Sequence, residues 1–264
     1  MESLPGDVRH AYHNLANDPK YRHFVHIPDR ILRCLDYFGV VCKREESRDR
    51  LLSYYLFIGV VDSMIDSGYV EGGERILAQL STQSPFPNEE MESVKLVTLI
   101  LKNQISEESY PLMISGFREL YQQVVSERAA PSIDAYIEHR KAVGRLTAEL
   151  SYLLIRPLLA MDNESVCRFM RHVGAIGCLV DSLIDLNADH RLGLLMFKPT
   201  IMDRVKLVVI TLQEGLSIWL THLGLSNVFL QAVCDNVRDR FVRTGRPGAD
   251  YTVSNREGAA ASVA

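Results

Sequence analysis

No run of the chain reaches the ~18–20 consecutive apolar residues that a bilayer crossing requires. The two most apolar stretches, LLSYYLFIGVV and VKLVVITL, are broken by Asp62 and by Gln-Glu-Gly. The N-terminal MESLPGDVRHAYHNLANDPK lacks a basic start followed by an apolar block, so neither a secretory signal nor a transit peptide is expected. Cysteine is sparse and odd in number: Cys34, Cys42, Cys167, Cys178 and Cys234 show no CxxC spacing and read as reduced core residues of a cytoplasmic protein. Cationic excess is also missing. With 29 Lys and Arg against 33 Asp and Glu, the formal net charge of -4 argues against a nucleic-acid partner, although a local basic cluster can still grip a small polyanion. No GxSxG, P-loop or GxGxxG-helix signature occurs, which leaves acyl transfer, nucleotide hydrolysis and dinucleotide binding without support. His139 has no second His or Cys at zinc-ligand spacing and reads as a polar-face residue.

What is present is helical periodicity. The chain has 264 residues, 47% of them hydrophobic, enough to bury a sizeable core. Apolar residues recur at helical spacing almost throughout, and no long segment alternates with period two, so the expected fold class is all-α. The pattern predicts helices over 28–44, 48–67, 71–81, 89–104, 107–127, 132–160, 163–187, 200–222 and 225–243. Turn residues punctuate them: DSGYVEGG, QSPFPNEE, AAPSID, AMDNES, FKPT and GLSN. Ser132 is placed to cap one long helix and Asp162 or Asn163 the next. Residues 1–245 read as one helical domain, and the small, polar 246–264 segment reads as a disordered tail.

Two short stretches are nearly identical: VDSMID, holding Asp62 and Asp66, and VDSLID, holding Asp181 and Asp185. Residues four apart share a helix face, so each pair forms an acidic face that repels itself unless a cation lies near. Apolar residues precede both pairs, from Tyr54 to Val61 and from Val173 to Val180, which suggests helices buried on most sides. Facing helices with inward carboxylates are a common way to build a metal site in a bundle. Oxygen-only ligands favour a hard ion such as Mg²⁺, whose shell is completed by water and substrate phosphates; the missing ligands therefore suggest a diphosphate. Asp189 extends the second acidic stripe by one turn.

Side-chain cations near the acids come from EHRKAVGR, with Arg140, Lys141 and Arg145, and from Arg191 and Lys198 after the second motif. Lys141 and Arg145 share a face and, with Arg191, are the cations expected at the phosphates; the alternative for each is a surface cation whose stem packs on apolar neighbours. Glu149, in an apolar stretch, is expected to pair with Arg145 one turn earlier. Tyr54, Tyr55, Phe57 and Tyr152 are aromatic candidates for a cavity wall, of which one or two are expected to reach a ligand.

These features resemble the squalene/phytoene synthase branch of the class I (all-trans) isoprenoid synthases over roughly residues 20–245. In that family two DxxxD motifs, about 120 residues apart, lie on facing helices of an all-α bundle around a central cavity; Asp62, Asp66, Asp181 and Asp185 match them. The resemblance implies that these four acids bind Mg²⁺ and grip the diphosphate of an allylic prenyl diphosphate. Tyr55 falls where the family often has a tyrosine, and SIDAYIEHRKAVGRLTA resembles its tyrosine-rich YCYxVAGxVG helix in placement. Members that couple two substrates head to head carry an arginine where this chain has Gly59, an asparagine where it has Gly177 and an arginine where it has Val180. The expected activity is therefore ionisation of one prenyl diphosphate followed by cyclisation or rearrangement. Head-to-head coupling and a catalytically silent prenyl-diphosphate binder are the alternatives, and a lipophilic product implies peripheral contact with a membrane.

Overall fold

The computed structural model describes residues 6–66, 72–81, 92–228, 230, 231 and 234. Among them every regular element is helical, and an isolated bridge between Cys42 and Leu159 is the only extended pairing. The helices are α1 (Gly6–Ala16), α2 (Arg22–Val25), α3 (Ile27–Tyr37), α4 (Arg44–Asp66), α5 (Gly72–Ser81), α6 (Glu92–Gln104), α7 (Tyr110–Arg128), α8 (Ile133–Ile155), α9 (Glu164–Arg191) and α10 (Ile201–Thr221). None of them is long and apolar enough to cross a membrane.

The start signals act as the sequence suggests. Ser132 accepts from the Ala135 amide at the head of α8. Asn163 rather than Asp162 caps α9, accepting from the Ser165 and Val166 amides, while Asp162 is held by the Tyr152 hydroxyl at 2.7 Å and by Arg156 at 2.9 Å. Thr200 and Asp203 form a reciprocal capping box that opens α10. Three stops differ from expectation. α9 runs on to Arg191 rather than 187. α3 ends at Tyr37 rather than 44, because Gly39 turns the chain through a positive φ of 68°. α8 ends at Ile155 rather than 160, where Pro157 lies in a short 3₁₀ turn over Arg156–Leu158.

α1 was not expected, yet its Tyr12 is only 3% exposed in the main core. The helix expected over 225–243 starts after a 3₁₀ turn at Leu223–Leu225. Beyond residue 234 it lies outside the described residues, as does the 246–264 tail.

α4 is the central element. Leu51, Tyr54 and Leu56 are fully buried, and Phe57, Val60, Met64 and Ile65 are nearly so. α7 packs on α8, and α8 packs along α9. The α8–α9 crossing needs two glycines: a Cβ on Gly144 would stand 2.2 Å from the Gly174 carbonyl oxygen, and one on Gly174 would stand 2.2 Å from that of Gly144. α9 is less enclosed than its sequence suggests. The apolar residues inside the second motif, Leu183 and Ile184, are 36% and 40% exposed, whereas Met64 and Ile65 of the first are buried. A second, smaller core joins the start of α8 to the end of α9 and to α10 through Tyr136, Leu179, Leu186 and Leu207.

Candidate functional site

α4 runs into the bundle and ends with Asp62 and Asp66, while α9 carries Asp181, Asp185 and Asp189 along one stripe. Between them stands the first half of α8, whose face of Tyr136, Arg140, Val143 and Thr147 follows the i, i+4, i+7, i+11 spacing of one helix side. Arg140 is the hub. Its guanidinium reaches Glu127 of α7 at 3.3 Å and Asp181 at 3.5 Å, and its Nε donates to the Ser182 hydroxyl at 2.9 Å. Ser182 also accepts from the Tyr136 hydroxyl at 3.0 Å and donates to the Cys178 carbonyl at 2.9 Å. Arg128, the last residue of α7, is ion-paired with Asp66.

The serines give the repeated motif part of its meaning. Ser182 holds Tyr136 and Arg140, while Ser63 of the first motif shares a side-chain hydrogen bond with Tyr21. Each Asp-Ser pair places a carboxylate beside a hydroxyl that bonds a tyrosine of a neighbouring segment.

The acids of the two motifs act on one another. Asp62 is an exposed residue whose carboxylate nevertheless lies among crowded protein groups. That crowding, and then the charge of Asp66, push its carboxyl up to about 7 against the pull of Arg140; Asp181 and Glu127 add to the rise. Asp66 is also raised, first by burial, with Arg128 and Arg140 opposing and with Asp185 and Asp181 adding to the rise. Asp189 is pushed up to about 7 by burial and by Asp185. Charges act on one another in this way only within a Debye length, ~10 Å, so the two motifs and Glu127 are neighbours in one charged region. Their negative charge exceeds what Arg128 and Arg140 supply.

Among the described residues, no three His, Cys, Asp or Glu side chains stand close enough to hold a metal ion between them. The donor chemistry nevertheless fits Mg²⁺, which is held by one or two carboxylates with water and phosphate oxygens completing six-fold coordination. The motif carboxylates of α4 and α9 are hard oxygen donors in negative excess.

An apolar cavity of about 100 Å³ adjoins Asp62. Helices α4, α5, α7 and α8 wall it with Phe57, Val61, Leu80, Phe117, Leu120 and Val143 among others, and among the described residues Asp62 is the only charged side chain in its lining. Phe57 and Phe117 meet edge to face within it, with ring centroids 5.4 Å apart. Of the four aromatic candidates, Phe57 alone reaches this cavity. Tyr54 is buried and donates to the Thr147 carbonyl at 2.8 Å, Tyr55 is buried edge-on against Tyr54, and Tyr152 serves the α9 cap.

The expected cations are placed differently from their spacing. Lys141 turns toward α10 and pairs with Glu214 at 2.6 Å, where His172 also binds at 2.8 Å. Arg145 is half-buried and does not meet Glu149, whose partner is Arg171 of α9 at 3.2 Å. Arg191 is exposed at the end of α9, donating to the Asn187 carbonyl. Arg140 holds the place expected for Lys141 and Arg145. Arg128 and Glu127 had no signal beyond their position at the end of a helix; Arg140 had one, as the lone charge on an otherwise uncharged face of α8.

At the three family positions, the slot beside Gly59 is filled by the Phe24 ring, 2.5 Å from where a Cβ would stand, whereas nothing lies within 4 Å of one on Gly177. Val180 is half-buried on α9. Comparison of the chain with protein-family models, with curated proteins and with solved structures finds no match.

Proposed function

We propose that the chain is a Mg²⁺-dependent class I isoprenoid synthase that ionises one allylic prenyl diphosphate and releases diphosphate with a cyclised or rearranged terpene. The observation that carries this reading is the junction at Asp62, where an apolar cavity ends in a carboxylate that shares its surroundings with the acids of α9. A molecule with a hydrocarbon body and a polyanionic head matches such a junction once a divalent ion bridges acid and phosphate.

Asp62, Asp66, Asp181 and Asp185, with Asp189 one turn beyond, are the residues among which one or two carboxylates would hold the ion. When bound, Mg²⁺ supplies the Lewis-acid charge that lets diphosphate depart. The protein's own groups do the rest. Arg140 and Arg128, already held among the acids, offer guanidinium forks that match phosphate oxygens. Ser182 and Glu127 orient Arg140, so its position is set before a ligand arrives. The walls contributed by Val61, Leu120 and Val143 exclude water from an allylic cation, and the Phe57 and Phe117 rings can stabilise it by roughly 0.5–2 kcal/mol.

The cavity is smaller than the ~150 Å³ apolar cavity that accepts benzene. A prenyl chain therefore enters only as the walls separate, which favours one substrate chain over two and cyclisation over head-to-head coupling.

A second reading has its own observation. Arg140 and Arg128 already neutralise part of the acid cluster, as they would in a catalytically silent homologue that binds a prenyl diphosphate without turning it over. Incubation of purified protein with C10, C15 and C20 prenyl diphosphates and Mg²⁺ separates the readings. Diphosphate release with a cyclic or rearranged product is expected. A squalene-like dimer would contradict the single-substrate reading, and binding without release would leave the silent homologue.

A further inference from the structure

We infer that the outer face of α10 is the contact surface of a homodimer in which α10 packs against its own copy. The inference is independent of the proposed chemistry. α10 is apolar on both sides: Leu207, Thr211 and Ile218 are buried against the bundle, while Ile201, Val205, Val208, Leu212, Leu216 and Trp219 lie on the outside, 41–76% exposed. The outer residues follow one another at steps of four, three, four, four and three, a straight stripe along one side of a 21-residue helix. A helix that is apolar all round is ordinarily buried all round. In total, ten apolar side chains from Ile201 to Leu223 keep 41% or more of their surface exposed. Their apolar area is on the order of the ~800 Å² that each partner of a stable complex buries.

The charges on and around α10 select the occupant. Asp203 closes the capping box, Lys206 is paired with Asp134, and Glu214 is paired with Lys141 and His172, so three of the helix's four charged side chains are engaged within the protein. An anionic lipid surface is recruited by clusters of 4–8 basic residues. α10 carries two, Arg204 and Lys206, in a chain of net charge -4. Among the described residues that follow, Val228 packs against the main core and Gln231 accepts from Arg33 of α3 at 2.9 Å. An uncharged stripe is complementary to itself, and a two-fold contact between two such stripes buries apolar side chains with no unpaired charge.

Trp219 is the chain's single tryptophan and lies on this face, so its emission reports the contact directly. Sedimentation of the full-length protein should give the mass of two 29.8 kDa chains. Trp219 emission should shift to the red on dilution as the dimer dissociates. Leu212→Glu should sediment as a monomer with an unchanged far-ultraviolet spectrum; should that variant not fold, the dilution series on the natural chain decides alone. A monomer at every concentration with solvent-exposed Trp219 emission overturns the inference. So does a monomer whose emission shifts to the blue only with phosphatidylserine vesicles, which would assign the face to lipid. A monomer with blue emission that dilution does not change also overturns it, because the chain then covers its own helix.

Discussion

Arg140 holds together groups from three helices, and its removal tests how the acids tolerate one another. Arg140→Met leaves Glu127, whose side chain is 13% exposed, without its nearest counter-charge. Breaking a buried pair by removing one partner costs about 3–5 kcal/mol. The urea midpoint should fall accordingly, and adding Glu127→Gln to the variant should recover much of the loss. Asp62 makes a second, pH-dependent prediction. Its folded carboxyl is raised from 3.8 to about 7, so the folded protein holds a proton that the unfolded chain releases above pH ~4. The associated stability is fully present below pH ~4 and is lost as pH rises through about 7. In metal-free buffer, melting temperatures should fall between pH 5 and pH 8, and the fall should be smaller in Asp62→Asn. An equal fall in both proteins would remove Asp62 as its source. At this scale the placement of Asp62 with Asp66 on α4 and of Asp181 with Asp185 on α9 was legible in the sequence, because the spacing of four falls within helical periodicity. The choice among Arg140, Lys141 and Arg145 was not, because one residue along a helix turns a side chain by about 100° and only the packing of α7, α9 and α10 fixes which one faces the acids.

The α8–α9 crossing sets how close the second motif comes to the first. Gly144→Ala and Gly174→Ala each drive a methyl group into the opposing backbone carbonyl, where no rotamer gives relief. Overpacking of this kind costs about 1–3 kcal/mol or more, and the melting temperature should drop in both variants. Gly177→Ala, three residues further along α9, meets nothing within 4 Å and replaces the poorer helix former. It should gain up to about 1 kcal/mol. Opposite signs at Gly174 and Gly177 are the expected result of thermal melts, and a loss at both would place another neighbour against Gly177. Elements with strong periodicity and polar caps, such as α8, α9 and α10, were legible from sequence at their starts, whereas the ends of α8 and α9 were not. α1 was not, because its burial rests mainly on Tyr12 and on docking against α6, a contact between distant parts of the chain. The partial exposure of α9 was equally hidden, since an apolar run reads alike whether it faces a core or solvent.

Across the whole molecule, Asp62 lines an apolar cavity and feels the charges of Asp66 and Asp181, with Arg128 paired to Asp66 and Arg140 to Asp181. The all-helical class could be read from periodicity, whereas the position of the cavity depends on α5 and α7 closing over α4. The claim that joins fold to function is that both acid pairs serve one diphosphate through a divalent ion. Calorimetric titration of inorganic diphosphate into the full-length protein, with and without Mg²⁺, tests it most directly. The account predicts binding that requires Mg²⁺ and that falls at least tenfold in Asp62→Asn and in Asp181→Asn alike. Binding that is indifferent to Mg²⁺, or that survives the loss of either aspartate, would contradict it.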